Sequence, residues 1–265
     1  MNWTVIVAVN NEIVLKDCLL NSPDIRSASE LILQTGYSSA ASAYNAGINK
    51  AASADILVFV HQDVYLADGW LVRVERAVEA VSRKDPNWGV MGVWGIDCLG
   101  RGAGYLYCTA CGRKLGESFD GGREIRSLDE VVIILRKSSG LRFDEHLPGF
   151  HMYGTDICME AAKRGMKSYA IAGFCIHNSN AFGMLPWQFW KCCLYLRRKW
   201  KSQLPIIAPC VEITTWCWPI LRWNVFQAAN LILKRHKAGK RVSDPSRLYR
   251  ELIASGKVTP VAACD

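Results

Sequence analysis

A chain of 265 residues with 50% hydrophobic and 21% charged side chains can bury a sizeable core, which excludes a disordered or fibrous chain. No apolar run reaches the roughly 18 residues that a membrane-spanning helix needs; the nearest, Leu204 to Leu221, is broken by Pro205, Pro209, Glu212 and Pro219. The formal charge of +8 is concentrated in residues 183–241, where eleven Lys or Arg face the single acid Glu212, so the tail is expected to meet an anionic partner.

In chain order, Thr4 to Val9 is a continuous apolar run suited to a buried strand. Its opening lacks the basic flank and cleavage site of a signal peptide. The protein is therefore expected in the cytoplasm, with its eleven cysteines reduced. Glu30 to Gln34 predicts a second strand. Ala40, Tyr44, Gly47, Ile48 and Ala51 share a helical face behind Ser38 or Ser39 as N-cap. Asp55 to Val60 predicts a third strand, ending at His61-Gln62-Asp63. Trp70, Val74, Ala77, Val78 and Val81 form the stripe of a helix closed by Asp85-Pro86. Trp88 to Trp94 reads as one strand, the glycine-rich region Gly100 to Gly122 as containing a mobile loop, and Val131 to Leu135 as a further strand. A helix is expected over residues 156–164, then a last strand from Tyr169 to Ile176, ending at His177. From Pro186 the pattern changes to tryptophans mixed with basic residues, followed by a helix-like stretch from Val211 to His236. Alternating strands and helices predict an α/β fold with a mostly parallel sheet flanked by helices. The division is residues 1–182 for that domain and 183–265 for a basic, aromatic-rich helical extension.

In open α/β sheets, functional groups gather at the carboxyl ends of strands. That rule selects Asn10-Asn11-Glu12, His61-Gln62-Asp63 and His177. A strand-end acid with a distant histidine suits Mn²⁺ or Mg²⁺, which bind through a few protein ligands plus substrate phosphates. Cys108 and Cys111 offer two of the four ligands a structural zinc needs, and most of the eleven cysteines read as small buried hydrophobes.

The blocks NNEIVLKDCL, SSAASAYNAGINKAASADILVFVHQDVYL, FDEHLPGFHMYGTDICMEAAKRGMKSYAI and IHNS, in that order, resemble family-2-type glycosyltransferases of the GT-A fold. The resemblance is to the bacterial glycosyltransferase-like subset with the StrF-type domain, and it spans residues 3 to 180. It implies a nucleotide-sugar site at Val9, Asn10, Asn11, Glu12, Asn45, His61, Gln62 and Asp63. It implies a metal held by Asp63 and His177, with His61 replacing the first acid of the family's DxD motif. Asp156 matches the acid of the ED motif, the catalytic base, while Thr155 stands where the family carries the preceding acid; Asp156 also reads as a helix cap. Asp129 matches an acid before a family strand and reads either as lining the acceptor cleft or as a loop residue.

The expected function is metal-dependent, inverting transfer of a sugar from a nucleoside-diphosphate sugar, a UDP-sugar foremost. The acceptor is a hydroxyl of a glycan, a lipid-linked glycan or a small molecule. Two alternatives stand beside it: a non-catalytic sugar-nucleotide or glycan-binding module on the same fold, and a nucleotidyltransferase. The tail is read either as packing its tryptophans on the core or as docking on the inner face of an anionic membrane, and the two are compatible. Nucleic acid is not expected, since no recognition module accompanies the charge.

Overall fold

The computed structural model describes residues 1–28, 30–180, 184–233 and 239–260. Strand β1 (Trp3–Val9) lies between β2 (Glu30–Thr35) and β3 (Ile56–His61), parallel to both. A central strand is covered on both faces, which is why Val5 to Val9 alternates nothing and is apolar throughout. After β3 come β4 (Val64–Leu66), β5 (Val90–Gly92), β6 (Trp94–Ile96), β7 (Gly102–Cys108), β8 (Arg113–Gly116), β9 (Gly122–Ile125), β10 (Ser127–Leu128), β11 (Val132–Arg136), β12 (Ser168–Ile171) and β13 (Cys175–His177). The main sheet runs β2-β1-β3-β11-β5-β12-β9. Strands β2, β1, β3, β5 and β12 share one direction, and β11 and β9 oppose it. The fold is the expected GT-A-type α/β arrangement.

Short helix α1 (Glu12–Asp17) follows β1. Helix α2 (Ala40–Lys50) is capped by Ser39, whose Oγ accepts from the Ser42 amide at 3.2 Å. It lies so close to β1 that a Cβ on Gly47 would stand 2.4 Å from Ile6 Cγ2. Helix α3 (Trp70–Lys84) buries the predicted stripe of Trp70, Val74, Ala77, Val78 and Val81 on the other sheet face. Alternate residues of the central strands serve the two sides. Leu57 and Phe59 face the core shared with α2, while Ile56, Val58 and Val60 face that of α3.

Three stretches depart from the expected elements, and each contributes to a second sheet, β10-β6-β7-β13-β4, with β8 paired to β7. Residues 88–94 split between β5 in the main sheet and β6 in the second. Residues 169–176 divide likewise into β12 and β13. Most of the glycine-rich region is a hairpin, β7–β8. Its glycines are spacers: a Cβ on Gly104, at φ 134°, would fall 2.0 Å from the Val93 carbonyl oxygen.

Helix α4 (Tyr153–Lys163) begins three residues before the expected start, after Met152 in the left-handed region at φ 67°. Asp156 thus lies inside the first turn and is not the cap. Helix α5 (Trp187–Lys199) buries Phe189, Cys192, Cys193 and Leu196 in the core shared with α2 and α4. At roughly 1.5–3 kcal/mol for a fully buried large apolar side chain, that face alone fastens the helix. A small hairpin, β14 (Ile206–Ile207) and β15 (Glu212–Ile213), occupies the start of the predicted long helix. Helix α6 (Trp218–Ile232) follows, with Pro219 in its first turn, where the missing N–H costs no hydrogen bond. Helix α7 (Pro245–Ala254) packs Leu252 beside Tyr65, Tyr105 and Phe174. The expected division at 182/183 lies outside the described residues.

Candidate active site

Strand pairing brings the metal candidates together. Strand β13 runs antiparallel to β4 with His177 opposite Val64, so the residue before β4, Asp63, meets the end of β13. The Asn178 amide donates to the Asp63 carbonyl at 2.8 Å and fixes that meeting. His61, at the end of β3, completes the group: His61 Nδ1 lies 3.9 Å and His177 Nε2 3.6 Å from Asp63 Oδ1. One ligand atom from each of the three lies within 4.8 Å of the others. Those gaps are long for hydrogen bonds and approach the roughly 3 Å spacing of donors around one ion with bonds near 2.1 Å.

The donor set fits a divalent cation. His61 Nε2 lies 2.6 Å from the Tyr153 hydroxyl, which donates to the Glu130 carbonyl at 3.4 Å. With His61 Nε2–H donating into this relay, its Nδ1 lone pair is left facing Asp63, an orientation a ligand histidine commonly receives from such a partner. Burial pushes His61 down to about 4, partly opposed by Asp63, so its imidazole is neutral at pH 7. Burial also works against ionisation of Asp63, but His177, His61 and Arg241 hold its carboxyl well below the usual range. His177 is disfavoured as a cation by burial yet raised by Asp63. His61, expected as a nucleotide contact, thus belongs geometrically with the metal candidates.

The first loop abuts this group. Strand register sets Ala8 beside His61, and Gln62 Oε1 accepts from the Asn10 and Asn11 amides at 3.0 Å each. Gln62 Nε2 donates back to Asn10 Oδ1. Asn11 caps α1, its Oδ1 accepting from the Val14 amide at 3.1 Å. Asn10 and Glu12 are exposed and Val9 is buried at the strand end. Asn45 is elsewhere engaged. It is 4% exposed, donates to the Phe143 carbonyl and Glu145 Oε1 at 2.8 Å each, and accepts from the Phe143 amide at 3.1 Å. It clamps the loop after β11, and its expected nucleotide contact does not fit these bonds.

Asp156 does not fit the role of base either. It is 2% exposed. Its Oδ1 accepts from Trp200 Nε1 at 2.7 Å and its Oδ2 from Lys199 Nζ at 2.9 Å. Lys199 also reaches Asp144 Oδ2 and Glu160 Oε1, both at 2.8 Å. A base must present an oxygen to the acceptor hydroxyl, and the buried carboxylate of Asp156 turns both oxygens inward to Trp200 and Lys199. Burial raises its carboxyl while Lys199 opposes the rise. This is a buried ion-pair knot joining α4 to α5.

Two other groups stand where the sequence drew less attention. Asp129 and Glu130 precede β11, which runs antiparallel to β3, and the His61 amide donates to the Val131 carbonyl at 3.1 Å. Both acids therefore sit beside the end of β3 and remain partly exposed. Burial, then the charge of Asp129, pushes Glu130 up to about 8, against hydrogen bonds from the amides at the start of α4. Such a value suits proton transfer near neutral pH. Glu130 has no distinguishing pattern in the sequence; its place beside Asp129, just before a predicted strand, is the only signal there.

Arg241 arrives from the tail. Its Nη2 lies 3.3 Å from Asp63 Oδ2, and its Nε donates to the Asn178 carbonyl at 2.8 Å. Asn178 and Val242 exchange two hydrogen bonds of 2.8 Å, and Gly239 packs against the β7–β8 turn so tightly that a Cβ would stand 2.0 Å from the Thr109 carbonyl oxygen. In sequence it was one basic residue among eleven.

Residues 4–185 match the model of a glycosyltransferase-like family. A relative from Fuscovulum blasticum, described as "ATP synthase subunits region ORF 6", is 31% identical over 129 residues, 46% of this chain and 50% of its own length. The chain thus spans about half the length of the curated relative it matches. GalNAc-T7, solved with UDP, GalNAc and Mn²⁺, shares the fold: TM-score 0.50, 10% identity, 74% of this chain and 48% of that one. Residues 1–349 of S. aureus TarS give a TM-score of 0.44 at 15% identity over 75% of this chain and 65% of that one.

Proposed function

Because the chain belongs to the glycosyltransferase-like family, with 4–185 as the matching region, we propose that it transfers a sugar from a nucleoside-diphosphate sugar to an acceptor hydroxyl. The observation that carries this reading is the convergence of His61, Asp63 and His177 beside the first loop and two partly exposed acids. Mn²⁺ or Mg²⁺ would be held by these three side chains and, once bound, would act as a Lewis acid toward the departing diphosphate. Mn²⁺ suits a site with two imidazoles better than Mg²⁺ does. UDP is the first nucleotide to test, since it accompanies GalNAc-T7 in its structure.

The chain's own groups supply the rest. Gln62, bonded to Asn10 and Asn11, sets the lip against which the nucleoside lies. Arg241, whose Nε and Nη2 are held by the Asn178 carbonyl and Asp63, offers its positive charge and remaining N–H groups to the diphosphate. Glu130 takes the proton of the acceptor hydroxyl onto its carboxylate as that oxygen attacks the anomeric carbon. A single displacement inverts that carbon. The acceptor is a glycan, a lipid-linked glycan or a small molecule.

Incubation with UDP-, GDP- and dTDP-sugars plus Mn²⁺, reading nucleotide release and product anomer, tests the proposal. Failure to bind any of these donors removes the sugar-nucleotide reading altogether. Arg241 seated on Asp63 favours one second reading, a sugar-nucleotide-binding module without turnover. Donor binding with no release, unchanged in Glu130→Gln, would select it.

A further inference from the structure

Helix α6 is turned the opposite way from an ordinary surface helix. Its most exposed positions recur at 218, 221, 222, 225, 226 and 229, one continuous helical stripe. That stripe holds Trp218, Leu221, Val225 and Phe226, with Arg222 as its only charge. Trp218 is 64%, Val225 61% and Phe226 63% exposed; Trp216 before the helix is 77% and Leu233 after it 56% exposed. The polar residues Asn224, Gln227 and Asn230 lie on the less exposed side. Asn224 accepts from the Leu185 amide at 2.9 Å. Exposed apolar side chains are ordinary when scattered; a contiguous stripe marks a surface awaiting a partner.

The surrounding charge names that partner. Of the eleven basic residues in 183–241, Lys199 is directed into the acid knot and Arg241 onto Asp63. Lys191, Arg198, Lys201 and Arg222 are exposed, and Arg197 Nη1, which donates to the Thr215 carbonyl at 3.1 Å, sets the basic end of α5 beside the start of α6. An apolar stripe with tryptophans at one end and cations at its flanks matches an anionic bilayer, whose interface takes indole rings and whose headgroups attract lysine and arginine. No helix among the described residues is long and apolar enough to cross a membrane. We propose that α6 and the preceding Trp216 lie in the plane of an anionic phospholipid surface, the apolar stripe in the acyl boundary and the flanking cations among the headgroups. This placement does not depend on the sugar-transfer reading.

Vesicle flotation of the full chain tests it, comparing phosphatidylcholine vesicles with ones in which about a third of the lipid is phosphatidylglycerol. The wild type should float with the anionic vesicles, weaken as salt rises, and bind neutral vesicles far less. The Val225→Asp/Phe226→Asp variant should lose at least about tenfold in vesicle partitioning. Because both side chains are exposed, its thermal unfolding midpoint should match the wild type's, which separates lost binding from lost folding. Absence of flotation, or equal flotation of wild type and variant, overturns the proposal. So does a lipid-free dimer in sedimentation that the variant converts to monomer, since a second copy would then cover the stripe.

Discussion

Two carboxylates near the start of α4 share one condition and differ in everything else. Burial raises both Asp156 and Glu130. Asp156 has answered that cost with Lys199 and Trp200, and its charge is part of the joint between α4 and α5. Glu130 has Asp129 beside it in place of a lysine, stays partly exposed, and lies next to the end of β3. A buried acid is thus structural or chemical according to who neutralises it and whether anything can reach it.

The sharpest way to break that contrast is Glu130→Gln. Removing a general base should lower nucleotide release about 10²–10⁴-fold with donor binding and unfolding unchanged; wild-type turnover would remove Glu130 from the chemistry. In the wild type, a base works only as the carboxylate. With Glu130 at about 8, turnover should climb as pH rises through that value and flatten above it. A pH–rate profile flat from about two units below that midpoint to about one unit above it speaks against it.

Lys199→Met leaves Asp144, Asp156 and Glu160 without their shared cation and should cost about 3–5 kcal/mol in urea unfolding. Asp156→Asn should lose about 2 kcal/mol by the same measurement. Per folded molecule, it should keep near wild-type turnover, and selective loss of turnover without loss of stability would restore its role as base. The smallest effect expected is that of Arg241→Gln, about tenfold weaker donor binding by calorimetry with unfolding little changed.

The main sheet was legible because its strands announce themselves. Val5 to Val9 and Ile56 to Val60 are apolar without interruption, and the stripe of α3 falls on strict helical spacing. The second sheet was not. Its strands β4, β6 and β13 are three residues each, too short for a period to show, and glycine in β7 resembles loop composition. Asp63 and His177 could be selected as strand-end residues, and pairing of β4 with β13 brings them together. Asp156 could not be separated from a base by sequence, since its partners Lys199 and Trp200 lie over forty positions away. Nor did periodicity show which side of α6 faces out, because spacing defines a stripe and not its direction.

The seating of Arg241 has a consequence for how the protein is made. Every strand of the two large sheets has left the ribosome once residue 177 emerges, so the scaffold and its histidine–aspartate group can form early in translation. Asp63 acquires its guanidinium partner only later, when Gly239 settles on the β7–β8 turn and α7 is anchored against Tyr65 and Phe174. A growing polypeptide can therefore hold both sheets and the histidine–aspartate group before Arg241 reaches them.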